Sequence, residues 1–206
     1  MNKLIIEARI NEYMMREQGN VNVPYTPEEI AADALACREA GAAIVHFHAR
    51  KADGSPEHSA AIYADTIRTI RRGSDILVHP TLGYNTMDDH TAPSRLRHIL
   101  ELAKDPSASP HFVPLDMGSV NVDRYDPQAR RFLTTNQVYS NPTGDLMYFA
   151  EHVRAAGLKV ALSGLGGDEA FLGYELRRPF AAALALPGGA SLDEPATPIS
   201  EEAAAL

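Results

Sequence analysis

An α/β fold built on a parallel sheet is predicted, and two observations predict it. Five short apolar runs alternate with helix-forming segments, and polar residues gather just after those runs: Asn11 and Glu12, His46 and His48, His79 and Thr81, Asp116 and Ser119. Such alternation gives parallel strands joined by right-handed crossovers, either as an open doubly wound sheet or as a (β/α) barrel. In both, sites form at the carboxyl ends of the strands, where these polar residues fall.

The elements follow in order. Lys3 to Ile10 mixes β-branched and apolar residues and reads as a first strand, followed by a polar loop from Tyr13 to Tyr25. Thr26-Pro27-Glu28-Glu29 starts a helix, with threonine as N-cap, proline at the first helical position and glutamates in the first turn. That helix ends near Ala40, before Gly41. Ala43 to Arg50 is the second strand. Turn residues from Ala52 to Pro56 lead to a helix over 59–72, closed by Gly73. Asp75 to His79 is the third strand and Pro93 to Lys104 the next helix. His111 to Leu115 is a fourth strand in spite of its proline, with an irregular segment after it as far as Asn141. Asn141, before Pro142, is read as a turn residue. A last helix spans Thr143 to Ala156, and Leu158 to Leu162 is the fifth strand.

Length and composition bound the function. A chain of 206 residues can bury one sizeable core. It holds 27 acidic against 19 basic residues, a net charge of -8, which disfavours nucleic-acid or anionic-membrane surfaces but allows a local anion pocket. Cys37 is the single cysteine, so an internal disulfide is excluded and a small core residue is expected. No run approaches the roughly 18 apolar residues of a membrane span, and the first residues lack a signal peptide's apolar core. A cytoplasmic protein is expected.

The chemistry concentrates in His46-Phe47-His48-Ala49-Arg50. Strand side chains alternate faces, so His46 and His48 share one side and Phe47 takes the other. Two adjacent imidazoles suit a divalent metal, and Arg50 on the same face suits an anion. A zinc site of this kind needs about three protein ligands, so a pair of hydrogen-bonded histidines is the competing reading.

Asn11-Glu12, Val23 to Ile30, Glu39 to Arg50, Asp53-Gly54, Pro80 to Gly83, Met117 to Asn121 and Val138 to Asn141 occur in the order found in the β-keto acid cleavage enzymes, which the chain resembles over about 3–160. The resemblance extends to the 3-keto-5-aminohexanoate cleavage enzymes. It implies a zinc-dependent (β/α)8 barrel that exchanges an acyl group between a β-keto acid and acetyl-CoA, giving acetoacetate and a new acyl-CoA. It further implies zinc on His46 and His48, catalytic roles for Glu12 and Thr81 at the substrate, and Ser119 and Asn121 beside them in the substrate pocket with Arg50.

The family's third zinc ligand, a glutamate, comes from later strands with a catalytic aspartate and an arginine. No segment after Lys159 matches them. Five strands cannot close an eight-stranded barrel, so an incomplete TIM barrel of about five βα units is expected over 1–186, with a disordered tail over 187–206. Glu169 and His79 are the spare donors. Val160 to Tyr174 is similar to a segment of the asparagine synthetase ATP-dependent domain, but no phosphate loop precedes it and ATP binding is not expected. Three outcomes stay open: an active homo-oligomeric acyltransferase, a partial barrel that binds zinc without turnover, and a non-catalytic α/β interaction module.

Overall fold

The structure, a computed structural model, describes residues 4–11, 16 and 20–163. Glu12, Glu169, the asparagine synthetase-like segment beyond Ser163 and the expected tail lie outside the described residues. Three strands, β1 (Glu7–Arg9), β2 (Ile44–Phe47) and β3 (Leu77–Pro80), form a parallel sheet in that order. β4 (Phe112–Asp116) and β9 (Lys159–Ser163) form a second parallel pair. Among the described residues no closed barrel is present; the parallel α/β layout is what the sequence predicts.

The helices arise where the capping chemistry puts them. α1 (Pro27–Glu39) opens with a complete capping box: Thr26 accepts from the Glu29 amide, and the Glu29 carboxylate accepts from the Thr26 amide. Arg16 also bonds that carboxylate at 2.7 Å, and together these contacts hold Glu29 down to about 2. α2 (Ala60–Gly73), α3 (Ala92–Leu102) and α4 (Thr143–Ala155) follow the strands as expected, with ends shifted by one or two residues.

Strand alternation sorts the side chains into two sides. Val45, Phe47, Val78, Val113 and Leu115 join Ile30, Tyr63, Ile67, Leu96, Ile99, Phe149 and Val153 from the helices in one buried core. The Phe47 and Tyr63 rings lie 5.8 Å apart across the β2–α2 interface. His46, His79 and Asp116 line a cavity on the opposite side. Register aligns them: Arg9 pairs with His46, and His46 with His79.

Two corrections follow. β1 is shorter than the strand expected from Lys3, because pairing with β2 covers only Glu7 to Arg9. The irregular 116–141 stretch contains two antiparallel ladders, β5 (Val120–Asn121) with β8 (Val138–Tyr139) and β6 (Tyr125–Asp126) with β7 (Arg131–Phe132). Strands of two residues carry too little periodicity to be read from sequence. The tip turns because the Asp126 carboxylate accepts from the Gln128 and Ala129 amides.

β3 and β4 are bridged through His111, whose amide bonds the Val78 carbonyl and whose Nδ1 accepts from the Val78 amide, each at 3.0 Å. Pro80 and Pro114 have no amide to extend that ladder.

His98 on α3 is only 2% exposed, and its Nε2–H donates to the Thr81 carbonyl at 3.0 Å. Burial holds its imidazole down to about 4. The unfolded chain, with a histidine near 6.5, therefore takes up a proton before the native one does. Stability from this group is complete above about pH 6.5 and is lost as pH falls toward 4, by up to about 3 kcal/mol. Urea midpoints measured from pH 7 to 4 should fall, and His98→Asn should flatten part of that slope. An unchanged slope in the variant would refute the assignment.

Candidate metal and substrate site

The carboxyl ends of β1, β2, β3 and β4 surround a cavity of ≈ 600 Å³. Glu7, Arg9, His46, His48, His79, Thr81, Tyr84, Asp116 and Tyr139 contribute its polar wall. His46 Nε2 and His48 Nε2 are 3.2 Å apart. Two nitrogens each about 2.0–2.1 Å from one tetrahedral ion lie roughly 3.3 Å apart, so the pair is spaced as ligands of a common metal would be.

The neighbouring elements set up this pair. Asn11 clamps the end of β2: its Oδ1 accepts from the His48 amide at 2.7 Å, and its Nδ2 donates to the His48 and Pro24 carbonyls. Burial, with help from His48, His79 and Arg9, pushes the His46 imidazole well below its ordinary range. Burial, Arg50, Arg9 and His58 hold His48 down to about 3. Both rings are therefore neutral near pH 7, the form in which imidazole ligates a metal.

Of the other expected residues, Thr81 lines the cavity and is 8% exposed. Its Oγ1 accepts from the Gly83 amide at 3.2 Å, which leaves its own proton available to a ligand. Gly83 has φ +76, and a Cβ there would meet His58 Cε1 at 2.4 Å, so this turn requires glycine. Arg50 is buried outside the cavity lining, where it donates to the Gly54 carbonyl at 2.9 Å and lies over the Tyr25 ring. Ser119 Oγ accepts from the Asn141 amide at 2.8 Å. Asn121 is exposed, while its neighbours Val120 and Val122 line the cavity. Neither Ser119 nor Asn121 is part of that lining.

Glu7, Arg9, Tyr84 and Tyr139 join this wall without being expected from the sequence. Glu7 and Arg9 sit two apart on β1, the spacing of His46 and His48, and that alternation was the available signal. Tyr139 offers no such signal, because only the β5–β8 ladder brings it to the wall. Its hydroxyl donates to Asp116 Oδ2 at 2.5 Å, and burial together with the Asp116 charge pushes its phenol up, so it stays a proton donor. Asn141, read as a turn residue, is a buried hub between Ser119, Gly118 and Arg95.

The sequence model of the family described as beta-keto acid cleavage enzyme matches residues 3–164. The chain belongs to that family. A 3-keto-5-aminohexanoate cleavage enzyme of Fusobacterium nucleatum subsp. nucleatum is 39% identical over 84 residues, covering 40% of this chain and 31% of that protein. A 3,5-dioxohexanoate:acetyl-CoA acetone transferase of Paraburkholderia graminis is 32% identical over 111 residues, 53% of this chain and 33% of that protein. The chain thus matches about a third of the length of these relatives.

Among solved structures, the binary complex of ObcA with oxaloacetate aligns with a TM-score of 0.62 at 17% identity, over 82% of this chain and 36% of that one. The ternary complex of ObcA with a C4-CoA adduct and oxalate aligns at 0.59. These likenesses place the chain in a TIM-barrel-like α/β fold. A model of asparagine synthase matches 128–201 weakly, about half of it outside the described residues.

Proposed function

We propose that this chain binds a divalent metal, zinc by preference, at His46 and His48. At that site it cleaves a β-keto acid with acetyl-CoA, giving acetoacetate and an acyl-CoA. The observation that carries the proposal is the 3.2 Å Nε2–Nε2 pair at the wall of a strand-end cavity, in a chain of this family. Relatives named for keto acid cleavage and for acetyl-CoA-dependent transfer support it. Neutral imidazoles, His46 buried and His48 half-buried, fit the group. Bound zinc would act as a Lewis acid on the substrate's keto oxygen.

The chain's own residues divide the remaining work. Arg9 brings a positive charge to the cavity and suits the substrate carboxylate, with the Thr81 hydroxyl as a second donor. The Tyr139 hydroxyl holds its proton toward the Asp116 carboxylate, the two oxygens 2.5 Å apart on the cavity wall, a position for shuttling it toward or away from substrate oxygen. The resemblance implies a role for Glu12, which is outside the described residues, at the substrate end. Among the described residues β1 and β9 each pair along one side only. Closure of an eight-stranded barrel therefore needs strands beyond the described ones.

A second reading is a partial barrel that holds zinc without turnover, because the described strands form no closed barrel. The test is to incubate the zinc-loaded protein with acetyl-CoA and a panel of β-keto acids, and to follow acetoacetate and acyl-CoA by mass spectrometry. Product formation that depends on both substrates supports the enzyme. Bound zinc without product supports the partial barrel, and absence of binding sinks both.

A further inference from the structure

The third metal ligand that resemblance assigns to later strands has a candidate much nearer. His79 is 4% exposed, and its Nε2 has no hydrogen-bond partner among the described residues. Orphaned buried nitrogens are rare and call for an explanation. Its other nitrogen is occupied, since Nδ1 meets Glu7 Oε1 at 2.5 Å. A carboxylate on one imidazole nitrogen is the arrangement that fixes the tautomer and presents the other nitrogen to a metal.

Position supports the same conclusion. His79 pairs in register with His46, and the two rings are 4.9 Å apart at centroid. Glu7, His46 and His79 each offer a ligand atom, all within 4.8 Å of one another. All of these groups sit on β1, β2 and β3, so the cluster does not depend on strands beyond Ser163.

We infer that His79, oriented by Glu7, is the donor that completes a divalent-metal site with His46 and His48 inside this chain. The inference rests on the metal site proposed above, and the two can fail separately. Three imidazoles with a carboxylate behind one of them suit zinc in a site that keeps an open position for substrate.

The experiment is a zinc titration of the purified full chain, monitored by bound metal per chain and by the cobalt(II) visible spectrum. Wild type is compared with His79→Gln, Glu7→Gln and His48→Ala. His79→Gln should weaken binding by at least about 100-fold, and Glu7→Gln by roughly 10–100-fold. The cobalt bands should change in both. Circular dichroism of each metal-free variant reports folding, and Glu7→Gln keeps the shape of the side chain if His79→Gln does not fold. Zinc bound equally by wild type, His79→Gln and Glu7→Gln, but lost in His48→Ala, would overturn the role of His79 while leaving the site. No zinc in wild type would remove the site itself.

Discussion

Protein carrying both His46→Ala and His48→Ala should purify without zinc and gain no thermal stability when zinc is added. The two rings project from one strand with their Nε2 atoms 3.2 Å apart, so the double change removes two donors while leaving Phe47 and the core side of β2 intact. Loss of an outer partner alone typically costs a site 10–100-fold in affinity, so loss of two ligands should exceed about 100-fold. In the parent, zinc at a hundred times its dissociation constant should add about 2.7 kcal/mol, an upward shift of roughly 5–10 °C for a chain of this size. Metal analysis and thermal denaturation check both values. Zinc retained by the double variant would place any site elsewhere.

The second large effect is expected at Arg95, buried behind the cavity-lining residues Gly83, Tyr84 and Tyr139. Its guanidinium is 1% exposed and donates to the Gly83 carbonyl at 3.1 Å and to Asn141 Oδ1 at 3.0 Å, with longer contacts to Ser140 O and Tyr139 OH. The Tyr84 and Phe149 rings lie about it at 5.0 and 4.9 Å. One side chain thus ties the Gly83 turn, the β8 end and α4 together. Arg95→Ala strands these buried acceptors and opens a void, at a cost of about 3 kcal/mol or more. Arg95→Lys keeps the charge but loses the planar fork, and should lie between alanine and wild type. Urea unfolding measures both, and a loss below about 1 kcal/mol for Arg95→Ala would refute this account. Zinc binding should survive in Arg95→Ala, because none of these contacts involves the histidine pair.

These two sites differ in how far they were legible. His46 and His48 stand two apart in an apolar run, and period-two geometry alone places them together. Arg95 gave no such signal: an arginine on an amphipathic helix reads as a solvated face. Only the return of Tyr139, Ser140 and Asn141 across α3 makes it a buried hub. Arg50 shows the opposite case. Its spacing from His48 suggested a shared face, but the chain turns after Phe47, where β2 ends, and the guanidinium packs against Gly54 and Tyr25.

The sequence by itself determined the parallel α/β order, the ends of four helices, the histidine pair and the family. All of these depend on local rules: side-chain period, capping chemistry and ordered motifs within a few residues. Tertiary structure decided which polar residues meet. Glu7 reaches His79 across 72 positions, and Tyr139 reaches Asp116 across 23. Those pairings are set by strand register and by a short hairpin ladder, so no local period in the sequence encodes them.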